Sequence, residues 1–165
     1  MKEQEEPRRK WEGETRVELK GHSPAQIWPL ISDFSSLNRW FPHVATCYLL
    51  EGVSGQPGVI RYCASMDGNQ WAKERLLMID PSDMCFSYEI VDNNAGFKSY
   101  VSTVRLYPIN GDDGRCGCRI VWSFVADPVE GLTLEGLLGF FDITAKAMAQ
   151  RMEEALSRAS LRVKG

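Results

Sequence analysis

Polar and apolar residues alternate without interruption from Trp11 to Lys20. Trp11, Gly13, Thr15, Val17 and Leu19 fall on one face, and Glu12, Glu14, Arg16, Glu18 and Lys20 on the other. That period marks a half-buried antiparallel strand. Ser23-Pro24 supplies an N-cap followed by proline at the first helical position. A short helix is predicted over Ala25–Phe34, with Ile27, Trp28, Leu30 and Ile31 as its apolar side. Leu37–Trp40 fits one more helical turn, stopped near Phe41-Pro42. Five strand patterns follow, at Val44–Glu51, Val59–Ser65, Trp71–Ile79, Met84–Val91 and Phe97–Tyr107. Turn residues separate them at Ser54-Gly55-Gln56-Pro57-Gly58, Asp80-Pro81-Ser82-Asp83 and Asn93-Asn94-Ala95-Gly96. A last strand is predicted over Cys118–Ala126, broken by Pro128. From Leu132 to Leu161 the period turns helical. Leu134, Leu137, Leu138, Phe141, Ala145, Met148, Met152, Ala155 and Leu156 form one stripe.

This order predicts an α+β fold, a seven-stranded antiparallel sheet wrapped around a long C-terminal helix, with two short helices. Where a curved sheet and a helix diverge, an internal ligand cavity is expected. No repeat or linker divides the chain, so residues 10–165 are expected to be one domain. Residues 1–9, of mixed charge with one proline, are expected to be a disordered leader without the apolar core of a secretory signal.

Composition narrows the partners. The chain has 165 residues, 44% hydrophobic and 25% charged, with net charge −3. A net negative charge argues against nucleic acid, and no apolar run is long enough for membrane insertion. The five cysteines, an odd number, show no C-x-x-C spacing. They read as reduced thiols of a cytoplasmic protein rather than a disulfide framework. The two histidines, His22 and His43, lie away from any cysteine cluster, so no metal is expected. The chain is expected to act as a monomer on a small hydrophobic ligand.

The chemistry-bearing stretch is Val59–Leu76, VIRYCASMDGNQWAKERL. Asp67-Gly68 is a strong two-residue hairpin signal. A turn there pairs Met66 with Asn69 and, counting back, Arg61 with Glu74. Arg61 and Glu74 then share a face with Val59, Cys63, Ala72, Leu76 and Met78. Ile60, Tyr62, Lys73 and Arg75 occupy the other. The face with Lys73 and Arg75 belongs to solvent, so Glu74 points inward; a one-residue slip would reverse this. The alternative is an exposed pair worth little. Parity also turns Tyr88 inward with Met84, Phe86 and Ile90, Tyr100 with Ser102, Val104 and Leu106, and Trp122 and Phe124 with Ile120. Charges inside a protein are costly unless paired. Once paired, the carboxylate can exchange a proton and the guanidinium can hold an anionic oxygen.

Several blocks carry a resemblance: Lys10-Trp11-Glu12-Gly13, Gly58-Val59-Ile60-Arg61-Tyr62, Trp71-Ala72-Lys73-Glu74-Arg75-Leu76, Ser87-Tyr88, Trp122-Ser123-Phe124 and Glu130-Gly131. Over about residues 10–156 the chain resembles the plant START-like, pollen-allergen-like helix-grip superfamily. That group includes the polyketide cyclase/dehydrase and lipid-transport proteins. Within it, the chain is most similar to the lachrymatory-factor synthases of onion and its plant relatives. The resemblance implies a catalytic pair at Arg61 and Glu74 and a pocket lined by Tyr88, Tyr100, Trp122, Phe124 and Phe141. It implies no cofactor and a sulfenic-acid ligand, 1-propenyl sulfenic acid, rearranged to a thial S-oxide. The alternative is carriage of a small hydrophobic ligand or lipid without turnover. The abscisic acid receptors share this fold, but the gate-like Ser54-Gly55-Gln56-Pro57 precedes the arginine strand instead of following it. The corresponding latch region reads Asn94-Ala95-Gly96-Phe97.

Overall fold

A computed structural model of the chain describes residues 9–111 and 114–163. Apart from its last residue, the expected leader lies outside the described residues. The elements run β1 (Trp11–Leu19), α1 (Pro24–Ile31), α2 (Leu37–Trp40), β2 (Thr46–Glu51), β3 (Ile60–Ala64), β4 (Trp71–Asp80), β5 (Cys85–Asn93), β6 (Val101–Asn110), β7 (Cys116–Ala126) and α3 (Leu134–Val163). The seven strands form one antiparallel sheet in the order β1-β7-β6-β5-β4-β3-β2. Strands β2 to β7 meander through successive hairpins. The chain's first strand pairs with its last, Trp11 opposite Ala126 through Leu19 opposite Cys118. The expected architecture is therefore the observed one.

Helix α3 packs across β1 and α2. Its buried line, Leu137, Phe141, Ala145, Met148, Ala149 and Met152, meets Ile120, Trp122 and Phe124 of β7 in one continuous core. Strand β1 keeps its alternation, with Thr15 and Leu19 fully inside. Its Gly13 lies opposite Phe124, and a methyl group there would meet the Leu138 side chain. The strand's missing side chain thus lets α3 lie close.

Of the boundaries that differ from expectation, two shift for local reasons. Helix α1 stops at Ile31 instead of Phe34. The Ser32 hydroxyl donates to the Trp28 carbonyl at 2.6 Å, and Asp33 Oδ1 accepts from the Ser35 backbone and hydroxyl. These side-chain bonds offer the backbone an alternative to another helical turn. Strand β6 begins at Val101 instead of Phe97. Asn93 folds the preceding loop around its amide: Oδ1 accepts from Ala95 and Phe97 N–H, and Nδ2 donates to the Phe97 carbonyl at 2.9 Å.

The β3–β4 register is the one expected. Arg61 lies opposite Glu74, with Cys63 opposite Ala72 and Ala64 opposite Trp71. The turn that sets it is not the two-residue form. Ser65 N–H donates to the Gln70 carbonyl and Gly68 N–H to Ser65, at 2.9 and 3.0 Å. Gly68 alone takes positive φ, at 73°; Asp67 does not. The loop is thus Met66–Asn69, with the Asp67 carboxylate accepting from Ser65 Oγ and Asn69 N–H. Two- and four-residue loops centred on the same bond give the same parity, so the facing pair survives the correction.

Met78 corrects the reading of the inner face. The β4–β5 ladder shifts register between Leu76 and Met78. An extra residue of this kind re-aims the side chains beyond it. Met78 is 37% exposed, and Ile79 packs on the core instead.

At Gly52, φ is 92° and a β-carbon would stand 2.7 Å from the Val59 Cα. Both the left-handed backbone and the close approach demand glycine. Gly52→Ala should lower stability by about 1–3 kcal/mol, measurable as a shift of the urea midpoint.

Candidate functional site

The site forms around one buried arginine. Arg61 is 3% exposed and Glu74 9%. Arg61 Nε and Nη2 both donate to Glu74 Oε1 at 2.8 Å. Nη1 donates to the Phe34 carbonyl at 3.2 Å. The guanidinium also lies 3.9 Å from the Phe34 ring centroid and 5.0 Å from that of Tyr88, distances at which ring faces attract a cation. The early end of α1 is what frees the Phe34 carbonyl to turn toward β3. Burial opposes the Arg61 charge most strongly, yet Glu74, with help from Cys63, Tyr88 and Cys47, holds its pKa above the ordinary arginine value.

Strand β4 carries a contrasting pair on its other face, shared with β5. Arg75 lies opposite Glu89 and donates to it at 2.7 Å with both side chains partly in water. Lys73 and Arg75 do face outward, and the exposed alternative applies to Arg75–Glu89, not to Arg61–Glu74.

Glu74 opens onto a cavity of about 200 Å³. Its walls include Cys63, Tyr88, Ile90, Tyr100, Trp122 and Phe141. The volume lies below the roughly 300–1,000 Å³ of pockets for drug-sized ligands, which suits a small molecule. Oε1 is committed to Arg61, so Oε2 is the oxygen left for a ligand. Arg61 itself lines a second, smaller chamber of about 30 Å³ behind the first. Leu37, Phe41, Tyr88 and Trp122 border both. Three of the five guanidinium N–H groups are spent on Glu74 and Phe34, which leaves two unspent.

A polar chain crosses the wall. Trp122 Nε1–H donates to Ser102 Oγ at 2.7 Å, and Ser102 Oγ–H donates to the Ser123 carbonyl at 2.8 Å. Ser102 is completely buried. Burial pushes the Tyr88 phenol up to about 12, with Glu74 adding to the rise and Arg61, Ser102 and Trp122 opposing it. Burial, then Tyr88, raises Tyr100 well above its usual range. Both phenols therefore stay protonated and can donate to a ligand oxygen. His43, which also lines the cavity, has its pKa lowered by burial.

Of the sequence-predicted site residues, Glu74, Tyr88, Tyr100, Trp122 and Phe141 line the larger chamber. Phe124 lines neither chamber. It is stacked on Tyr100, with ring centroids 5.8 Å apart, and edge-on to Phe141 at 4.9 Å, so it supports the wall from behind. Strand parity fixed its face but not which neighbour would cover it. Phe34 and Cys63 were not on the predicted list. Phe34 contributes its ring and its backbone carbonyl, and the carbonyl leaves no mark in side-chain pattern. The rim of the cavity comes from Ser65 and Gln70 of the β3–β4 hairpin, Ala95 and Phe97 of the β5–β6 loop, and Phe140 of α3. The latch region thus borders the opening, while Ser54–Pro57 does not.

An antiparallel sheet gripping a long helix over an open-mouthed cavity defines a helix-grip protein that binds small ligands. The sequence profile of the polyketide cyclase/dehydrase and lipid transport family matches residues 10–163, and the chain belongs to that family. It is 28% identical to the abscisic acid receptor PYL2 of Arabidopsis thaliana over 85% of this chain and 75% of the receptor. Identity to the receptor PYL6 of the same plant is 23%, over 81% of this chain and 64% of that one. Among solved structures, the protein XoxI from Bacillus cereus superposes with a TM-score of 0.71 at 26% identity, over 87% of this chain and 94% of that one. An uncharacterised protein from Bacillus thuringiensis gives 0.67 at 25% identity, over 87% and 97%.

Removing one partner of a buried ion pair leaves an uncompensated charge, at a cost of about 3–5 kcal/mol. Arg61→Met should lose stability on that scale. Arg61→Met with Glu74→Leu should recover a large part of it. Chemical denaturation of the three proteins reads the difference.

Proposed function

We propose that the protein catalyses a cofactor-free rearrangement of a small sulfenic acid, in the manner of a lachrymatory-factor synthase. The observation that carries this reading is a single buried carboxylate, fixed by an arginine, in the wall of a small and largely aromatic cavity. A neutral 1-propenyl sulfenic acid would lie with its carbons against Trp122 and Phe141. Its oxygen would reach toward the free Arg61 N–H groups and the Tyr88 phenol. Glu74 would accept the sulfenic O–H proton and return it to the carbon β to sulfur. The carbon–carbon double bond becomes a carbon–sulfur one, and the thial S-oxide leaves with every atom of the substrate. General acid–base transfer of this kind contributes about 10²–10⁴-fold.

A second reading, binding or carriage of a small hydrophobic ligand without turnover, is favoured by the predominance of ring and aliphatic side chains in the wall and by the lipid-transport members of the family. An acidic ligand of the sort that the name abscisic acid receptor implies is disfavoured. Among the described residues, the larger chamber has no lysine or arginine in its wall. The Arg61 charge is already matched by Glu74, so a carboxylate would meet a like charge.

The test supplies purified protein with freshly generated 1-propenyl sulfenic acid and follows thial S-oxide by gas chromatography. Product from the wild type is expected, with Glu74→Gln at least about 100-fold slower while still binding a neutral apolar fluorophore. If wild-type protein binds the fluorophore and forms no product, the rearrangement is wrong and the carrier reading stands.

A further inference from the structure

Strands β2 and β3 bring two thiols together that the proposed reaction does not use. Cys47 lies directly opposite Cys63, and Cys63 Sγ–H donates to Cys47 Sγ at 3.5 Å. Opposed residues of antiparallel strands hold their Cα atoms about 4.5 or 5.5 Å apart. Both spacings fall within the roughly 4.4–6.8 Å that a disulfide spans. Closing the bond therefore needs about 1.5 Å of sulfur movement and no change of strand register. The remaining cysteines stand on other strands, Cys85 on β5 and Cys116 and Cys118 on β7.

The surroundings give the two sulfurs different characters. Cys63 is buried and forms part of the larger chamber's wall. Cys47 is half-buried on the edge strand, and its Sγ–H donates to the Phe34 carbonyl at 3.8 Å. The hydrogen bond from Cys63 lowers the Cys47 pKa to about 7; Arg61 helps, and burial works against it. The same bond, together with burial, raises that of Cys63. A thiol of lowered pKa facing one of raised pKa at 3.5 Å is the arrangement of an attacking and a resolving cysteine.

We propose that Cys47 and Cys63 form a reversible oxidation site in the folded protein, with hydrogen peroxide or a small organic hydroperoxide as oxidant. The Cys47 thiolate attacks one peroxide oxygen. An S–O bond forms, the O–O bond breaks, and the other oxygen leaves as water or an alcohol after taking a proton from solvent. Cys63 then attacks the Cys47 sulfenic sulfur. The S–S bond forms, the S–O bond breaks, and hydroxide leaves as water with the Cys63 proton. Two thiols are oxidised by two electrons and one peroxide is reduced. An external dithiol returns both electrons. The assignment does not rest on which ligand the cavity binds, although Cys63 is part of its wall.

Peptide mapping after peroxide treatment tests it directly, because trypsin cleaves at Arg61 between the two cysteines. The folded protein is exposed to hydrogen peroxide, unfolded in iodoacetamide, digested and analysed by mass spectrometry. Peptides 40–61 and 62–73 should appear joined, and dithiothreitol should separate them. Two of the five thiols should lose alkylation while the other three keep it. In Cys63→Ser the sulfenic acid should persist on Cys47 and be trapped by dimedone. In Cys47→Ser, Cys63 should remain unmodified at the same dose. The wild-type map needs no variant to fold. Full alkylation of Cys47 and Cys63 after peroxide, a bridge to Cys85, Cys116 or Cys118, or a dimedone adduct on Cys63 would each overturn the assignment.

Discussion

A guanidinium cannot shed its charge at any pH a protein meets, and Arg61 is buried almost completely. The fold around it answers that constraint from three directions. Strand β4 brings Glu74, the segment after α1 brings the Phe34 carbonyl, and the rings of Phe34 and Tyr88 cover the guanidinium faces. Each of these fixes something larger. The carboxylate requires one hairpin register, and the carbonyl requires that α1 end at Ile31. The rings bind the short helical segment to the middle of the sheet. A buried ion pair is weak evidence for stability; here it specifies how β3, β4 and the α1–α2 segment must meet.

The pair also decides what the cavity can hold. Because Oε1 takes both guanidinium contacts, the site presents one acceptor oxygen and protonated phenols rather than a free cation. Ligands that are neutral and carry one polar group fit such a wall. The second-layer contacts, Trp122 to Ser102 to Ser123, keep the indole orientation fixed without exposing an unpaired donor. The cavity wall and the fold therefore draw on the same residues.

Much of this was legible in the sequence, where it followed from parity. Asp67-Gly68 located the centre of the hairpin, and alternation then set Arg61, Glu74, Tyr88, Tyr100 and Trp122 on the inner side. Parity failed where the ladder is irregular, as at the bulge that turns Met78 outward. It was silent where a backbone group acts, as at Phe34. It could not link β2 to β3, because the connection from Gly52 to Val59 is long and the ladder shifts between Leu49 and Glu51. The facing of Cys47 and Cys63 is therefore visible only in three dimensions. The face of Phe124 was correct, but alternation does not say whether a ring meets a cavity or another ring.

The four-residue loop Met66–Asn69 stands at once between the strands of the ion pair and beside the cavity rim formed by Ser65 and Gln70. Its length therefore bears on the opening and on the ion pair together. Adding or deleting two residues symmetrically about its centre reshapes the opening and leaves Arg61 facing Glu74. A change of one keeps that facing where the loop still closes on the Ser65–Gln70 pair; where the pairing slips by one instead, one charge turns outward and the other is stranded inside. The hairpin tip can thus reshape the opening without touching the pair, while a slip of register carries the penalty of an orphaned charge.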